Sequence, residues 1–392
     1  DESDIEKLLS FPAQSSSNPP NQSNTKQVQI QPSFDVVKPI KSNYTNQLGS
    51  RKGSNQSITS FSEASYNESQ FSRPLCDESG NLSEGLTLAQ VKILVRKNNL
   101  THITIPKSIT LIDSGAFSAC ATLEEVVIQD SVTEICANAF SGCSSLQRIT
   151  IPSSVTKIGN SAFSGCTSLT QITIPSSVKS IGKGCFSNCD SLTEITSFGE
   201  IKTIPEDAFV KCESLTSIDI PSTVTSLQLR AFSHCKSLTN VTIPSSVESI
   251  GMRCFSKCTL LNRVQIPDSV TSIGSDAFSK CDLLKEITLS NSLTIIDINC
   301  FNECHSLTSI VIPESVTTIC NNAFYNGSAL QQITLSKSLK TIGHNVFYGC
   351  QSLQRIVIPE SVTSIGDKCF CNCQKLREIN LASVQSIGSR CF

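Results

Sequence analysis

The residues of this chain that could do chemistry are its cysteines and histidines. The sequence of 392 residues contains 20 cysteines and 4 histidines. Thiolates act as nucleophiles, bind metals or pair as disulfides, and imidazoles bind metals or transfer protons. The histidines stand at unrelated positions, far from one another: His102, His234, His305 and His344. No nucleophile–base spacing, carboxylate pair or phosphate-binding glycine loop stands out, so the sequence predicts neither an enzyme nor a cofactor.

Most of the cysteines follow one spacing. Eleven are separated by 23 residues or a multiple of it, and Gly327 takes the remaining place in the series: Cys120, Cys143, Cys166, Cys189, Cys212, Cys235, Cys258, Cys281, Cys304, Cys350 and Cys373. Five others precede a Phe, where Ala or Val stands elsewhere: Cys185, Cys254, Cys300, Cys369 and Cys391. Exchange with Ala, Val and Gly is typical of small buried sites, so we expect free, buried thiols.

Two other interpretations of the cysteines remain at this point. Stacked units would bring neighbouring thiols within bridging distance, so geometry permits disulfides. Obligate pairing, however, would not leave Gly327 in the series. A structural zinc ion needs four converging ligands, whereas a linear row of thiols scatters them, so we expect no metal site.

The cysteine spacing is part of a repeat of 23 residues. Phenylalanine recurs with the same period: Phe117, Phe140, Phe163, Phe186, Phe209, Phe232, Phe255, Phe278, Phe301, Phe324, Phe347 and Phe370. A leucine follows each of these residues six places later, from Leu123 to Leu376. A fixed period of this length predicts a solenoid, in which each unit buries its apolar edge against its neighbours.

Residues 146–168 show the structure that we expect within one repeat. The alternation in Ile149–Ile151 predicts a short strand with one buried face, and Pro152 ends it. Val155–Ile158 predicts a second extended segment, closed by a turn that uses the conformational freedom of Gly159. The segment Ala162–Cys166 predicts a single helical or 3₁₀ turn. Stacked units then form a parallel sheet and a curved rod.

The repeat resembles a known family. Its pattern Leu-x-x-Ile-x-Ile-Pro-x-Ser-Val-x-x-Ile-Gly-x-x-Ala/Cys-Phe-x-x-Cys is similar to the BspA-like, or Treponema pallidum-type, leucine-rich repeat, over residues 100–392. The resemblance implies a β-rich leucine-rich-repeat array in a cell-surface or secreted protein that adheres to host or extracellular-matrix proteins. The alternative is a cytoplasmic scaffold, or the regulatory interaction arm of a larger signalling protein.

The N-terminal part has a different composition. Residues 1–86 are rich in Ser, Asn and Gln without an apolar period, which predicts a disordered segment. Thr87 and Gln90 form a capping-box pattern, and the apolar residues that follow have helical spacing, which predicts a helical N-terminal cap over residues 87–99. The solenoid then fills residues 100–392, and because no polar cap follows its last repeat, we expect the chain to be truncated there.

One repeat departs from the pattern. Ser197 occupies an apolar position, Phe198 replaces the proline, and Pro205 replaces the glycine. The favoured interpretation is a bulge that turns Phe198 into the core. The other interpretation leaves Phe198 exposed as an aromatic anchor for a partner.

Charge and hydropathy exclude two classes of partner. The 31 basic and 33 acidic residues give a formal net charge of −2, and no basic stripe indicates binding to nucleic acid or to an anionic membrane surface. The longest apolar runs are much shorter than a bilayer span, so we expect no membrane-spanning segment in this chain.

The remaining candidate is the solvent side of the predicted sheet. The position two residues after each repeat leucine is polar and varied, and threonine is common at the position two residues further on. Such variation indicates either a recognition surface on a rigid scaffold or a merely solvated face. For recognition of a protein partner, we expect the charged residues of the first position to matter most: Arg148, Glu194, Arg263, Glu286 and Arg355.

Overall fold

The computed structural model describes residues 82–392, which belong to the compact unit Asn67–Phe392. The predicted disordered segment lies outside the described residues except for its end, residues 82–86. Within the described residues the predicted solenoid is confirmed, and it is built almost entirely from short parallel strands.

The described part begins with the helix α1, Leu88–Lys97. The expected capping box is present, because the Thr87 hydroxyl accepts the Gln90 N–H and the Gln90 side chain accepts the Thr87 N–H. The helix buries Val91, Leu94 and Val95. Arg96 donates to the carbonyl of Ser118, 3.4 Å away, which ties the helix to the first repeat.

Each repeat contributes a first strand, and within residues 82–392 these strands form five parallel sheets of two to four strands each. These strands are β1 (His102–Thr104), β3 (Glu125–Val127), β5 (Arg148–Thr150), β7 (Gln171–Ile174), β9 (Glu194–Phe198), β11 (Ser217–Asp219), β13 (Asn240–Thr242), β15 (Arg263–Gln265), β17 (Glu286–Thr288), β19 (Ser309–Val311), β21 (Gln332–Thr334), β23 (Arg355–Val357) and β25 (Glu378–Asn380). Their middle residue is apolar and turned inward, while the flanking residues face solvent.

A second strand of two residues follows in each repeat, and within residues 82–392 these strands form three further parallel sheets. These strands are β2 (Leu111–Ile112), β4 (Glu134–Ile135), β6 (Lys157–Ile158), β8 (Ser180–Ile181), β10 (Thr203–Ile204), β12 (Ser226–Leu227), β14 (Ser249–Ile250), β16 (Ser272–Ile273), β18 (Ile295–Ile296), β20 (Thr318–Ile319), β22 (Thr341–Ile342), β24 (Ser364–Ile365) and β26 (Ser386–Ile387).

The core between the first and second strands is organised by the repeat phenylalanines, which we call the Phe ladder. Each of these residues is buried and stacks on the Phe of the next repeat, with ring centroids 5.2 to 5.7 Å apart. Near-parallel rings at this distance gain dispersion energy in addition to the apolar area that they bury. The ladder therefore holds the repeats in register along the whole array.

The segment around each Phe forms isolated turns and no continuous helix, which agrees with the prediction of a single helical or 3₁₀ turn over Ala162–Cys166. Ser161 has φ 52° and Gly165 has φ 74°, and equivalent residues of the other repeats are also left-handed. Left-handed residues interrupt a right-handed helix after one turn. What remains is an isolated turn, in which the Cys166 N–H donates to the carbonyl of Phe163, 3.2 Å away.

The reason for the glycine after the second strand differs from the prediction. Gly159 is not among the residues with positive φ. A Cβ at Gly159 would instead lie 2.5 Å from the backbone nitrogen of Ala137 in the preceding repeat. The position requires glycine because two backbones approach closely there.

Candidate functional site

The exposed residues of the first strands form one continuous surface, which we call the strand face. In-register pairing places equivalent residues directly beside one another, as in Glu125 beside Arg148 and Arg263 beside Glu286. The five residues predicted for partner binding, Arg148, Glu194, Arg263, Glu286 and Arg355, all lie on this surface and are exposed.

Four of the five predicted residues are paired with an opposite charge on a neighbouring strand. Arg148 donates to Glu125 across 2.7 Å, and Arg263 and Glu286 approach to 2.8 Å. The distance between Arg355 and Glu378 is 3.4 Å. The hydrogen bond from Arg148 lowers the pKa of the Glu125 carboxyl below its usual value. A partner that recognises these charges must first disrupt the pairs.

Glu194 differs from the other four. Its neighbours in the same position on the adjacent repeats are Gln171 and Ser217, and it forms no ion pair with any residue of the described range 82–392. Asp219, at the end of the next first strand, is exposed and forms no ion pair within that range either. Two unpaired carboxylates therefore lie on adjacent strands at this place on the strand face.

The backbone between these carboxylates is irregular. The pairing of β7 and β9 shifts after Ile172, so that Thr173 lies opposite Ser197 and Ile174 opposite Phe198. Phe198 is buried and packs edge-on against Phe209, with ring centroids 5.7 Å apart and an interplanar angle of 78°. The bulge interpretation is thus confirmed, and the exposed-anchor interpretation is wrong, because Phe198 fills the space that Ser197 leaves empty.

Gly199 allows the chain to leave this bulge. It has φ 64°, and a Cβ at Gly199 would lie 2.7 Å from the carbonyl oxygens of Pro175 and Val178. Any larger residue would meet both a left-handed conformation and backbone atoms. The bulge and its glycine therefore form one unit.

The bulge opens a cleft between β9 and β11 with a volume of about 470 Å³. Glu194, Thr196, Ser217 and Asp219 supply polar groups to its walls, and Phe198, Ile195, Ile218 and Ile220 also line it. β9 is the longest strand of the described residues and belongs to a different sheet from β11, as is also the case for β5 and β7, β17 and β19, and β21 and β23. The sequence predicted the bulge but not the cleft. It also did not identify Asp219 as a candidate binding residue. The available indication was an acidic residue at a position where threonine is common in other repeats.

The cysteines have a structural role that the sequence reasoning missed. All cysteines of the described residues are free thiols. Ten of the repeat cysteines donate from Sγ to the carbonyl of the Phe in the preceding repeat, over 3.1 to 3.3 Å: Cys143, Cys166, Cys189, Cys212, Cys235, Cys258, Cys281, Cys304, Cys350 and Cys373. We call this set the Cys ladder.

Burial also makes these thiols poor nucleophiles. It raises the pKa of Cys143, Cys304 and Cys373 to about 12, and it also raises the pKa of Cys212 and Cys235 well above the usual value. A thiol that stays protonated neither attacks an electrophile nor binds a metal. Within residues 82–392, no group of three His, Cys, Asp or Glu side chains is arranged to hold a metal ion.

The histidines lie apart in the structure. His102 approaches Glu125 to 3.8 Å, and His344 approaches Asp367 to 3.3 Å in a distant repeat. Burial, together with Lys257, Lys211 and Lys236, lowers the pKa of His234 to about 4. No helix in the described part of the chain has both the length and the apolar character to cross a bilayer.

Comparison with known proteins agrees with the architecture. The family model of the BspA type leucine rich repeat region matches residues 94–215, 202–328 and 294–392. A leucine-rich repeat protein from Bacteroides ovatus is 31% identical with a TM-score of 0.70, and the match covers 80% of each chain. A leucine rich cell surface protein from Faecalibacterium prausnitzii is 29% identical with a TM-score of 0.41, over 78% of this chain and 92% of that one. No curated protein sequence gives a significant match.

Proposed function

Because the chain belongs to the BspA-type leucine-rich repeat family, we propose that it binds a protein partner through its strand face, at a cell surface, and catalyses no reaction. The family resemblance supports adhesion to host or extracellular-matrix proteins. The parallel first strands support a rigid surface, on which several modest contacts engage one partner together.

The observation that carries this proposal is the cleft beside the unpaired carboxylates of Glu194 and Asp219. The arginine charges of the strand face are already neutralised, since each arginine contacts a glutamate on a neighbouring strand. Exposed ion pairs of that kind contribute little to binding or stability. A carboxylate without a partner, next to a recess, can instead attract a lysine or arginine side chain that enters the cleft, where water is partly excluded and the attraction is stronger.

The test compares two kinds of charge change on the full chain. The double variant Glu194→Lys with Asp219→Lys reverses the unpaired charges. The matched control exchanges a pair, Arg148→Glu with Glu125→Arg, which keeps the ion pair but alters the surface pattern. Binding to immobilised extracellular-matrix proteins and to host cells should fall about tenfold or more in the first variant, equivalent to ~1.4 kcal/mol, and should change little in the control.

Two results would overturn parts of the proposal. If reversal of all five predicted residues together with Asp219 leaves binding unchanged, the strand face is not the binding surface. If the unaltered chain binds no matrix protein and no host cell, adhesion is excluded.

An intracellular scaffold is the second candidate function. It is supported by the free thiols, because proteins of oxidising compartments commonly pair their cysteines. Burial weakens that support, since buried thiols with a raised pKa resist oxidation wherever the protein resides. Protease treatment of intact producing cells separates the two: loss of the protein from intact cells places it outside, and survival until lysis places it inside.

A further inference from the structure

A second surface lies on the turns between the Phe ladder and the first strands. Lys257, Leu260, Lys280 and Leu283 form it, and we call it the Lys–Leu patch. Backbone hydrogen bonds hold the two repeats of the patch together. The Lys257 N–H donates to the carbonyl of Ser279 over 2.8 Å, and the Leu283 N–H donates to the carbonyl of Thr259 over 3.1 Å. The patch therefore has a fixed geometry.

The two leucines expose apolar surface that other repeats do not. Leu260 and Leu283 are 42% and 44% exposed. Seven other repeats have serine at this position: Ser145, Ser168, Ser191, Ser214, Ser237, Ser306 and Ser352. The fold therefore does not require an apolar residue there, and the leucines of adjacent repeats extend one another's apolar surface.

The lysines occupy a position that suits other residues better. Lys257 and Lys280 have φ 62° and 60°, and Lys211 and His234 of the preceding repeats have φ 61° and 63°. Left-handed conformations disfavour residues with a Cβ and are most tolerated by glycine and asparagine. Glycine or asparagine holds the same position in other repeats: Gly142, Gly165, Asn188, Asn326, Gly349 and Asn372. Four consecutive repeats thus carry a basic or imidazole side chain where the backbone favours a smaller one.

The local charge is partly compensated. Lys236 pairs with Glu213 over 2.8 Å, and Lys280 approaches Glu303 to 3.6 Å, while Asp282 lies between Lys280 and Leu283 in sequence. Lys257 forms no ion pair with any residue of the range 82–392. Burial is the main cause of the low pKa of His234, and the nearby cations of Lys257, Lys211 and Lys236 lower this pKa further, against the opposing effect of Glu213.

We propose that the Lys–Leu patch binds an acidic protein segment that also carries apolar side chains. Nucleic acids and sulfated glycans offer the negative charge but no aliphatic group for Leu260 and Leu283. An anionic bilayer offers both, but its uniform charge would be repelled by Glu213, Asp282 and Glu303 on the same side. A peptide can place its carboxylates beside Lys257 and Lys280 and its apolar residues on the leucines.

The experiment measures binding of a fluorescent peptide of alternating acidic and leucine residues, Glu-Leu-Asp-Leu-Glu-Leu-Asp-Leu, to the full chain by anisotropy. One companion peptide has Gln and Asn for the acids, and another has Ser for the leucines. The protein variants use residues that the chain itself places at these positions: Lys257→Asn with Lys280→Asn, and Leu260→Ser with Leu283→Ser. The control is Val311→Thr with Val357→Thr, which removes apolar surface from the strand face.

The lysine variant should lower affinity about 25-fold, since a basic residue near an anionic surface contributes about fivefold. The leucine variant should lower it at least about tenfold. Both companion peptides should bind more weakly than the parent, and the control should bind like the unaltered chain. No binding of the parent peptide, equal loss in the control, or tighter binding to heparin, to single-stranded DNA or to phosphatidylserine vesicles would overturn the proposal. None of these results depends on whether the strand face binds its own partner.

Discussion

Two series of residues run through the same repeats, one inside the solenoid and one on its strand face. Inside, every member of the Phe ladder is phenylalanine, and each ring contacts the next at 5.2 to 5.7 Å. On the strand face, the equivalent series changes from Glu125 to Arg148, Gln171, Glu194 and Ser217. Stacking restricts the interior residue, because each ring must match two neighbours, whereas solvent imposes no such match outside.

The bulged repeat shows what happens when the interior rule is broken. Ser197 cannot fill its apolar position, and Phe198 replaces it in the core from the next position along the chain. The consequence appears outside, as the cleft between β9 and β11. The interior of this repeat therefore remains packed, while the shape of its surface changes. The repeats can differ from one another at the surface more than in the interior.

The largest expected difference between interior and surface is the effect of alkaline pH on the buried cysteines. Burial raises the pKa of Cys143, Cys304 and Cys373 from 9.0 to about 12. Their contribution to stability is complete below pH 9 and is lost as the pH rises from 9 towards 12, because only the unfolded chain releases these protons. These three thiols alone contribute a fall of about 4 kcal/mol per pH unit in the free energy of unfolding, and the other buried thiols of raised pKa add to it. Urea denaturation at several alkaline pH values measures it.

The control for this alkaline loss is Cys304→Ala, which should reduce the slope by about 1.4 kcal/mol per pH unit. Lysines and tyrosines also titrate in this range, so the difference between the two proteins is the informative quantity. An identical slope would show that the Cys ladder does not stay protonated in the folded state.

The Phe ladder itself should be nearly as sensitive. Phe232 is fully buried between Phe209 and Phe255, with centroid distances of 5.4 and 5.5 Å. Phe232→Ala should lower the free energy of unfolding by about 3–5 kcal/mol through the cavity that it leaves. Hydrogen exchange should show the loss concentrated in the neighbouring repeats. A denaturation midpoint equal to that of the unaltered chain would contradict the structural role of the ladder.

The bulge is an intermediate case between interior and surface. Gly199→Ala should destabilise the chain by about 1–3 kcal/mol, because the residue is left-handed and its Cβ would meet two carbonyl oxygens. Gly85→Ala is the matched control, since Gly85 has φ 84° but no atom within 4 Å of the added Cβ. Equal losses in calorimetry would mean that conformation alone, and not the closed bulge, requires glycine.

A smaller effect should follow from completing the Cys ladder. Gly327 interrupts it, so the carbonyl of Phe301 has no thiol donor from the next repeat. Gly327→Cys should stabilise the chain by about 1 kcal/mol through this hydrogen bond and reduced freedom of the unfolded chain. Gly327→Ala gives the second contribution alone. If thermal denaturation shows no advantage of Cys over Ala, the thiol–carbonyl bond contributes nothing measurable.

The period revealed most of the interior and much less of the surface. It placed Phe163 over Phe140 and Ile149 on a strand, because a residue and its equivalent 23 positions later must stack. It also indicated the inward turn of Phe198. It did not reveal the left-handed Ser161 or the close approach at Gly159, since both depend on backbone geometry that residue types alone do not specify.

The strand face illustrates a different limit of the sequence. Arg148 and Arg263 are predicted binding residues because they are charged, but the structure shows that Glu125 and Glu286 on neighbouring strands neutralise them. The opposite charges 23 residues apart in the sequence are sufficient to predict these ion pairs. The cleft at Glu194 could not be predicted in this way, because its walls include the bulged backbone of β9, whose geometry residue types alone do not specify.

The smallest effect should come from the paired charges of the strand face. Arg263 and Glu286 are 2.8 Å apart, but their side chains remain 73% and 60% exposed. Water and salt screen such a pair, and ordering two long side chains opposes its attraction. Arg263→Gln should therefore change the free energy of unfolding by less than about 0.5 kcal/mol, at low and at high salt. A loss well above that value at low salt, absent at high salt, would show that ion pairs hold adjacent strands together. The residue types on the strand face would then be restricted by folding stability, as those of the interior are. Their variation between repeats would no longer indicate a surface adapted to recognise a partner.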